Sequence, residues 1–304
     1  MMTEVPNDQL EVLAPTLSRD LERGRIIYFP TCPIPLPSDD DQRFLRESLA
    51  SHLAGKNVSH YREGDRLVGV NGDEAVRTRA RSILTTHARE VEELLGRLMP
   101  DFMRGARLGI SSFRPLQEKG RDLSTHASNE LLHVDAGAYG ATHGDRILRF
   151  FVNINPVEDR VWISRGSFAE LYRRYAGEAG IPSVKRSLSP GLAERAWSGL
   201  LQAGAGALPP LRMIDTSPYD RLMRQFHNFM KDTPAFQTST EGREEFVFKP
   251  FSAWMVLTDA VSHACVSGQH ALVDTFLIPL ANCRELDQTP LHILAGTAAI
   301  PAAA

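Results

Sequence analysis

The spacing of apolar residues along this chain changes period near residue 106. Before that point the pattern is helical. "DQRFLRESLASHL" carries apolar residues three and four apart, and Asp39–Asp41 in front of it suit a helix start. "DEAVRTRARSILTTHAREVEELLGRLMPDFM" predicts one long amphipathic helix through Ile83, Val91, Leu94, Leu95 and Leu98, ended or broken at Pro100. A strand at Arg25–Phe29 precedes them and stops at Pro30, Pro33, Pro35 and Pro37. From Ala106 onward, "ARLGISSFRP", "LLHVD", "RILRFFVNINP" and "VWIS" are short and rich in apolar, β-branched or aromatic residues, which predicts strands. A helical stretch is expected from Phe168 to about Leu208, closing in "AGAGALPP", and "SPYDRLMRQFHNFMKD" predicts a further amphipathic helix capped at Ser217. Three strands follow, "EEFVFKPF", "SAWMVLTDAVSHACV" and "QHALVDTFLIPL", with a turn at Ser267–Gln269 between the last two; "TPLHIL" reads as a docked C-terminal end.

This order predicts an α+β fold, a closed or sandwiched β-core with flanking helices. One domain over 1–304 is expected, with a mainly helical flank at about 1–105, a β-core at about 106–280 and a helical insert at about 168–232. Composition narrows the function. The 34 basic and 37 acidic residues give a net charge of -3, which lends no support to a nucleic-acid footprint. Cys32, Cys265 and Cys283 form no CxxC pair or disulfide framework, so a reducing compartment is expected. No secretory signal or membrane-spanning run is visible, and a cytoplasmic protein follows as the expectation.

The chemistry concentrates in "LLHVDAGAYGATHGDRILRFFVNINP". On a strand, residues two apart share a face, so His133 and Asp135 project together. A second imidazole would complete a two-histidine-one-carboxylate facial triad, the ligand set of non-haem Fe(II) oxygenases, which leaves three metal positions open. His263 stands at the end of a strand-like run, and a closed jelly-roll core would bring it to His133. His143 and His270 are the alternative imidazoles; His227 reads as a cap or packing group, or part of a lid. No phosphate-loop context surrounds "GAYGATHG", and no GxSxG nucleophile elbow is present.

These segments, with "GKNVSHYREGDRLVG", "SSFRP", "THGDRILRFFVNINP" and "TPLHILAG", resemble the Kdo hydroxylase family of Fe(II)/2-oxoglutarate-dependent dioxygenases over most of the chain. The resemblance implies a double-stranded β-helix (jelly-roll, cupin-like) core. It also implies Fe(II) held by His133, Asp135 and His263, 2-oxoglutarate and O2 as cosubstrates, and hydroxylation of the sugar acid 3-deoxy-manno-octulosonic acid, free or lipid-linked. The chain departs from the family pattern directly after the first ligands. Gly137, Ala138, Tyr139 and Gly140 replace a Phe-Pro-Ser-Arg-like stretch, so another small acid, or desaturation or cyclisation, stays open. So does a Zn-dependent hydrolase built on the same three ligands, or a non-catalytic binding barrel.

2-Oxoglutarate also needs a cation for its distal carboxylate. Where many such oxygenases place an arginine, about ten residues beyond the last histidine, this chain has Val273 and Asp274. Arg149, Arg146 and Arg114 are the candidates. Arg149 is favoured because Asn153 and Asn155 share its face of the strand and supply amides.

Overall fold

Asp73 starts the longest helix by accepting the Val76 N–H, and the apolar stripe that follows is buried from Ala80 to Leu98. This is α3 (Glu74–Leu98). It lies with α1 (Leu10–Glu22), α2 (Asp39–Arg46) and α4 (Pro100–Met103) on one face of a large sheet. The architecture is seen in a computed structural model that describes residues 1–181, 184–185, 187–188, 191, 196–197, 200–201 and 216–298. "AGAGALPP" lies outside the described residues.

The first strands are β1 (Met2–Glu4), β2 (Ile26–Phe29), β3 (Val58–Tyr61), β4 (Arg66–Val68) and β5 (Arg107–Arg114). They are followed by β6 (Arg146–Asn153), β7 (Arg160–Ser164), β8 (Glu244–Phe248), β9 (Ala253–Leu257), β10 (Ala264–Ser267) and β11 (Ala271–Ile278). Eight form one sheet in the order β1-β2-β9-β6-β11-β5-β3-β4, and three form a second, β10-β7-β8. All pairings are antiparallel except β1 with β2. The first hundred residues thus contribute four strands to the large sheet as well as helices. α5 (Phe168–Tyr175), α6 (Pro218–Asp232), α7 (Pro234–Thr238) and α8 (Pro290–Ala295) gather with residues of β7 and β10 in a separate apolar cluster.

Between the two sheets the filling is aromatic. Trp254 of β9 is sandwiched by Phe248 (3.9 Å, 6°) and Phe151 (4.9 Å, 2°), with the edge of Trp162 against it. Large flat rings hold two twisted sheets apart while leaving few gaps, and offset or edge contacts suit their quadrupoles.

Two predicted strands are resolved differently. "SAWMVLTDAVSHACV" is not one strand but β9 in the large sheet, a turn at 258–260, and β10 in the small one. Burial is continuous through the turn even though Thr258 and Asp259 are polar, so the turn is not a solvent-exposed loop. "LLHVD" belongs to no ladder either; it touches the β-core through a single antiparallel bridge, His133 to His263.

The turn after β9 also disposes of one predicted site residue. Arg146 faces away from the space between the sheets. Its Nε donates to Asp259 Oδ2 at 2.6 Å, and the two side chains are 0% and 1% exposed. Asp259 Oδ1 takes the Ile147 N–H as well. Removing one partner of a buried ion pair strands the other charge, at a cost of about 3–5 kcal/mol. Asp259→Ala is therefore expected to lower unfolding free energy by about that amount in a urea titration. A change below about 1 kcal/mol, the range of an exposed pair, would show that Arg146 finds solvent or another anion.

Candidate active site

His133 and Asp135 alternate with Leu132 and Val134, which enter the apolar cluster beneath the helices. The backbone fixes where the polar pair goes. His133 N donates to His263 O (3.1 Å), His263 N to His133 O (2.8 Å), and Asp135 N to Thr258 O (2.8 Å). The segment is thereby stitched to the corner where the chain leaves the large sheet for the small one. One imidazole nitrogen of each histidine, and one carboxylate oxygen, come within 4.8 Å of one another.

Second hydrogen bonds set the histidine tautomers. His133 Nδ1–H donates to Leu131 O (2.7 Å) and His263 Nδ1–H to Val261 O (2.9 Å), which leaves each Nε2 with its lone pair. Trp162 stacks on the His263 ring at 5.1 Å and 22°. Burial, with the neighbouring imidazole acting the same way at His133, lowers the pKa of both histidines, so both favour the neutral, ligating form. Burial pushes the Asp135 carboxyl up, but Arg149 and the two histidines outweigh it and hold the group well below the usual range. Two neutral imidazoles and a carboxylate on one buried face fit a divalent metal with open positions.

The cleft beside these ligands is lined by Arg114, Arg149, Arg160, Asn129, Phe151, Trp162 and Cys265. Arg149 Nε stands 2.9 Å from Asp135 Oδ2, but its N–H is not aimed along that contact, and neither atom has a hydrogen-bond partner. The Nε atoms of Arg114 and Arg160 are also buried without partners. Glu118, 1% exposed, is the counter-charge for this group. Arg160 Nη2 donates to it at 3.2 Å, Arg121 Nη1 at 3.4 Å and Asn129 Nδ2 at 3.1 Å, while Arg114 Nη1 lies 3.7 Å away. Burial raises the Glu118 carboxyl, and Arg114 and Arg160 more than reverse it. Burial lowers Arg114 to about 10. Gly268, at φ +118°, lets Arg160 pass: a Cβ there would come within 2.7 Å of its side chain.

Of the sequence candidates, His133, Asp135 and His263 converge, and Arg149 and Arg114 line the same cleft. Two others are corrected. Arg146 does not line the cleft: its position on β6 has the opposite parity to Arg149, and its Nε is paired with Asp259. Asn153 does share the Arg149 face, but its Nδ2 donates to Glu158 O and Phe248 O and its Oδ1 accepts from Asn155 N, so its amide is used up on backbone. His143 lies in a loop at φ +54° and His270 stacks on Phe113; neither belongs to the cluster. Arg160 and Glu118 went unnoticed in the sequence. Arg160 had a partial signal: it stands just before the predicted strand "VWIS", and once β7 is extended by that one residue it shares the face of Trp162. Glu118 had none; its loop has no period.

A family profile described as 3-deoxy-D-manno-oct-2-ulosonic acid (Kdo) hydroxylase matches residues 7–299. Among solved structures, the chain is similar to the Kdo hydroxylase KdoO, a non-haem Fe(II), α-ketoglutarate-dependent dioxygenase. The complex of that protein with α-ketoglutarate and Fe(III) superposes with a TM-score of 0.78 at 26% identity, covering 96% of this chain and 94% of that one. Its apo form gives 0.77 at 26%, and its cobalt(II) complex 0.78 at 27%, over the same shares of both chains. No curated protein matches the chain. A profile that spans nearly the whole sequence, and a fold shared end to end with KdoO, settle the family: this chain belongs to the Kdo hydroxylases, Fe(II)- and 2-oxoglutarate-dependent dioxygenases with a cupin-like α+β fold.

Proposed function

We propose that His133, Asp135 and His263 hold the iron, that Arg114, Arg149 and Arg160 hold 2-oxoglutarate, and that the enzyme hydroxylates an unactivated C–H bond of a Kdo-type sugar acid. The observation that carries this reading is the convergence of three guanidinium groups on the cleft beside the ligand cluster, where Glu118 and Asp135 are the carboxylates they share. Three cations against two carboxylates, one of them a metal ligand in this reading, call for an anion that arrives from outside. A dicarboxylate meets that need, and a guanidinium fork suits a carboxylate bidentately. Fe(II) with 2-oxoglutarate and O2 supplies the oxidising power; the protein supplies position and a dry, cationic wall. Phe151 and Trp162 exclude water from one side.

KdoO is described as a Kdo hydroxylase, which makes the sugar acid the first substrate to test, with its lipid-linked form as the finer proposal. No helix among the described residues is long and apolar enough to cross a membrane. A cytoplasmic enzyme working on a substrate presented at a membrane surface fits that observation. The hydrolase and binding-barrel readings have no counterpart in the family match.

Anaerobic titration of the metal-free protein with Fe(II) and 2-oxoglutarate is expected to give a visible metal-to-ligand charge-transfer band, lost in His133→Ala and in His263→Ala. An undiminished band in either variant would remove that residue from the ligand set. Arg114→Ala and Arg160→Ala are each expected to raise the KM for 2-oxoglutarate about ten- to a hundredfold, the equivalent of about 1.5–3 kcal/mol of charged hydrogen bonding. Arg149→Ala should leave Fe(II) binding intact or tighten it, because Arg149 competes with the metal for Asp135. Steady-state kinetics with 2-oxoglutarate varied, beside Fe(II) titration, separate the three; unchanged KM values in all of them would refute the anchor. Kdo-terminated lipid or free Kdo should stimulate succinate release and gain one oxygen by mass spectrometry. Failure of both would move the search to other small acids.

A further inference from the structure

The segment that carries His133 and Asp135 meets the β-core along one edge only. On that edge the partners are main chain, His263 O and N and Thr258 O. Along the other edge no strand runs among the described residues, yet the backbone is not left bare. Side chains of α6 and α7 take the strand's place. The Gln237 amide makes two bonds to one residue: Oε1 accepts from Leu132 N (2.9 Å) and Nε2 donates to Leu132 O (2.9 Å). That is the pair of bonds an antiparallel neighbour would exchange with Leu132. His227 Nδ1–H donates to Val134 O at 2.7 Å. Lys231 Nζ donates to His126 O (3.0 Å) and Ser128 O (2.8 Å). Asp220 accepts from Thr142 N (2.8 Å) with the same carboxylate that caps α6 through Ser217.

The spacing is a helical stripe: Asp220, His227 and Lys231 are seven and four apart, so they leave α6 on one side. Gln237 follows from α7, its Nε2 also fixed by Met230 O (2.7 Å). Two of the residues gripped, Leu132 and Val134, flank His133. His227 reaches further, setting its ring edge against the His133 imidazole at 5.1 Å and 77°.

We infer that α6 and α7 serve as a side-chain surrogate for a missing strand, and that His227 and Gln237 are positioning residues for the metal ligands. They act through the peptide groups on either side of His133. With both edges bonded, the backbone direction that aims His133 and Asp135 is fixed before metal arrives. This inference rests on the reading that these residues hold the metal. It assigns His227 a role other than ligand, since its Nδ1 is committed to Val134 O.

Co(II) is the probe, because the related KdoO is known as a cobalt(II) complex. Calorimetric titration of the full, metal-free chain compares wild type with His227→Phe, His227→Asn and Gln237→Leu. Phe keeps a ring against His133 but donates nothing. Asn places an N–H the same number of bonds from the backbone as Nδ1. Loss of an outer-shell partner costs about ten- to a hundredfold in metal affinity, and that loss is expected in His227→Phe and Gln237→Leu, with His227→Asn near wild type. Affinity within about twofold of wild type in both of the first two would overturn the inference. So would loss in Asn with Phe near wild type, which would mean that the ring, not the bond, matters. Should Gln237→Leu fail to fold, Gln237→Glu keeps the acceptor for Leu132 N and replaces only the donor; unweakened Co(II) binding there would count against the inference too. Amide hydrogen exchange on the metal-free proteins gives a reading that does not depend on metal. Residues 131–135 should exchange faster in His227→Phe and Gln237→Leu while β6 and β11 stay unchanged. If wild type takes up no Co(II), the metal reading fails, and unaltered exchange at 131–135 would sink the scaffold separately.

Discussion

Two hydrogen bonds between the main chains of His133 and His263 hold this structure's chemistry together. They join points far apart in the sequence, and their closeness depends on the way the chain turns after β9. There the polypeptide leaves the large sheet, makes a tight turn with Ala260 N and Val261 N both donating to Leu257 O, and enters the small sheet as β10. His263 stands at that corner. A strand that ran on straight through Thr258 would have stayed in the large sheet, and its histidine would not have faced His133. The aromatic stack on Trp254 matters for the same reason: it sets the gap between the sheets in which the ligands meet.

Charge around the cleft is deliberately unequal. Arg146 and Asp259 on the far face balance in charge, one cation to one anion, both buried. In the cleft, Arg114, Arg149 and Arg160, with Arg121 behind them, share Glu118 and Asp135. Burying a cation without its own anion costs stability, and hydrogen bonds left unmade add to that cost. A dianionic ligand would offset both. The same comparison separates Arg149 from Arg146 more firmly than any argument from sequence distance. Both are arginines on one strand three residues apart; one is already neutralised and the other leans on a group that a metal would claim.

Much of this was legible in the sequence where periodicity rules. The long helix through Ile83 and Leu98, the strands at Arg107 and Arg146, and the cap at Ser217 all follow from apolar spacing and local hydrogen bonding. The alternation of side chains also placed Arg149 and Phe151 on one face. What failed was local in appearance and tertiary in cause. "LLHVD" alternates like a strand because its two faces differ, apolar cluster against polar cleft, yet one of its edges is bonded by side chains from α6 and α7. Nothing within five residues can report that. The break inside "SAWMVLTDAVSHACV" had a signal, the polar pair Thr258–Asp259, but these two side chains are buried in the fold, where a turn's polar residues usually meet solvent. Asn153 misled in the opposite way: the face was right, but the amide was spent on the turn that follows β6.

The departure from the family pattern at Gly137–Gly140 bears on substrate through packing rather than charge. Tyr139 does not stand among the residues lining the cleft. Its hydroxyl donates to Arg107 O at 3.1 Å, and its ring lies on β5 over Gly109, where a Cβ would come within 1.8 Å of the ring. Gly109 and Tyr139 are thus a matched pair, a missing side chain and a large one that fills its place. The stretch after Asp135 is held down on the sheet at this point, and Asp220 holds it again at Thr142. A segment with two such tethers has its identity set in good part by what it packs on. The absence of an arginine there accordingly carries less weight about the substrate anion than the sequence difference suggests. The cations that do face the cleft, from β5, β6 and β7, are contributed by the sheets themselves.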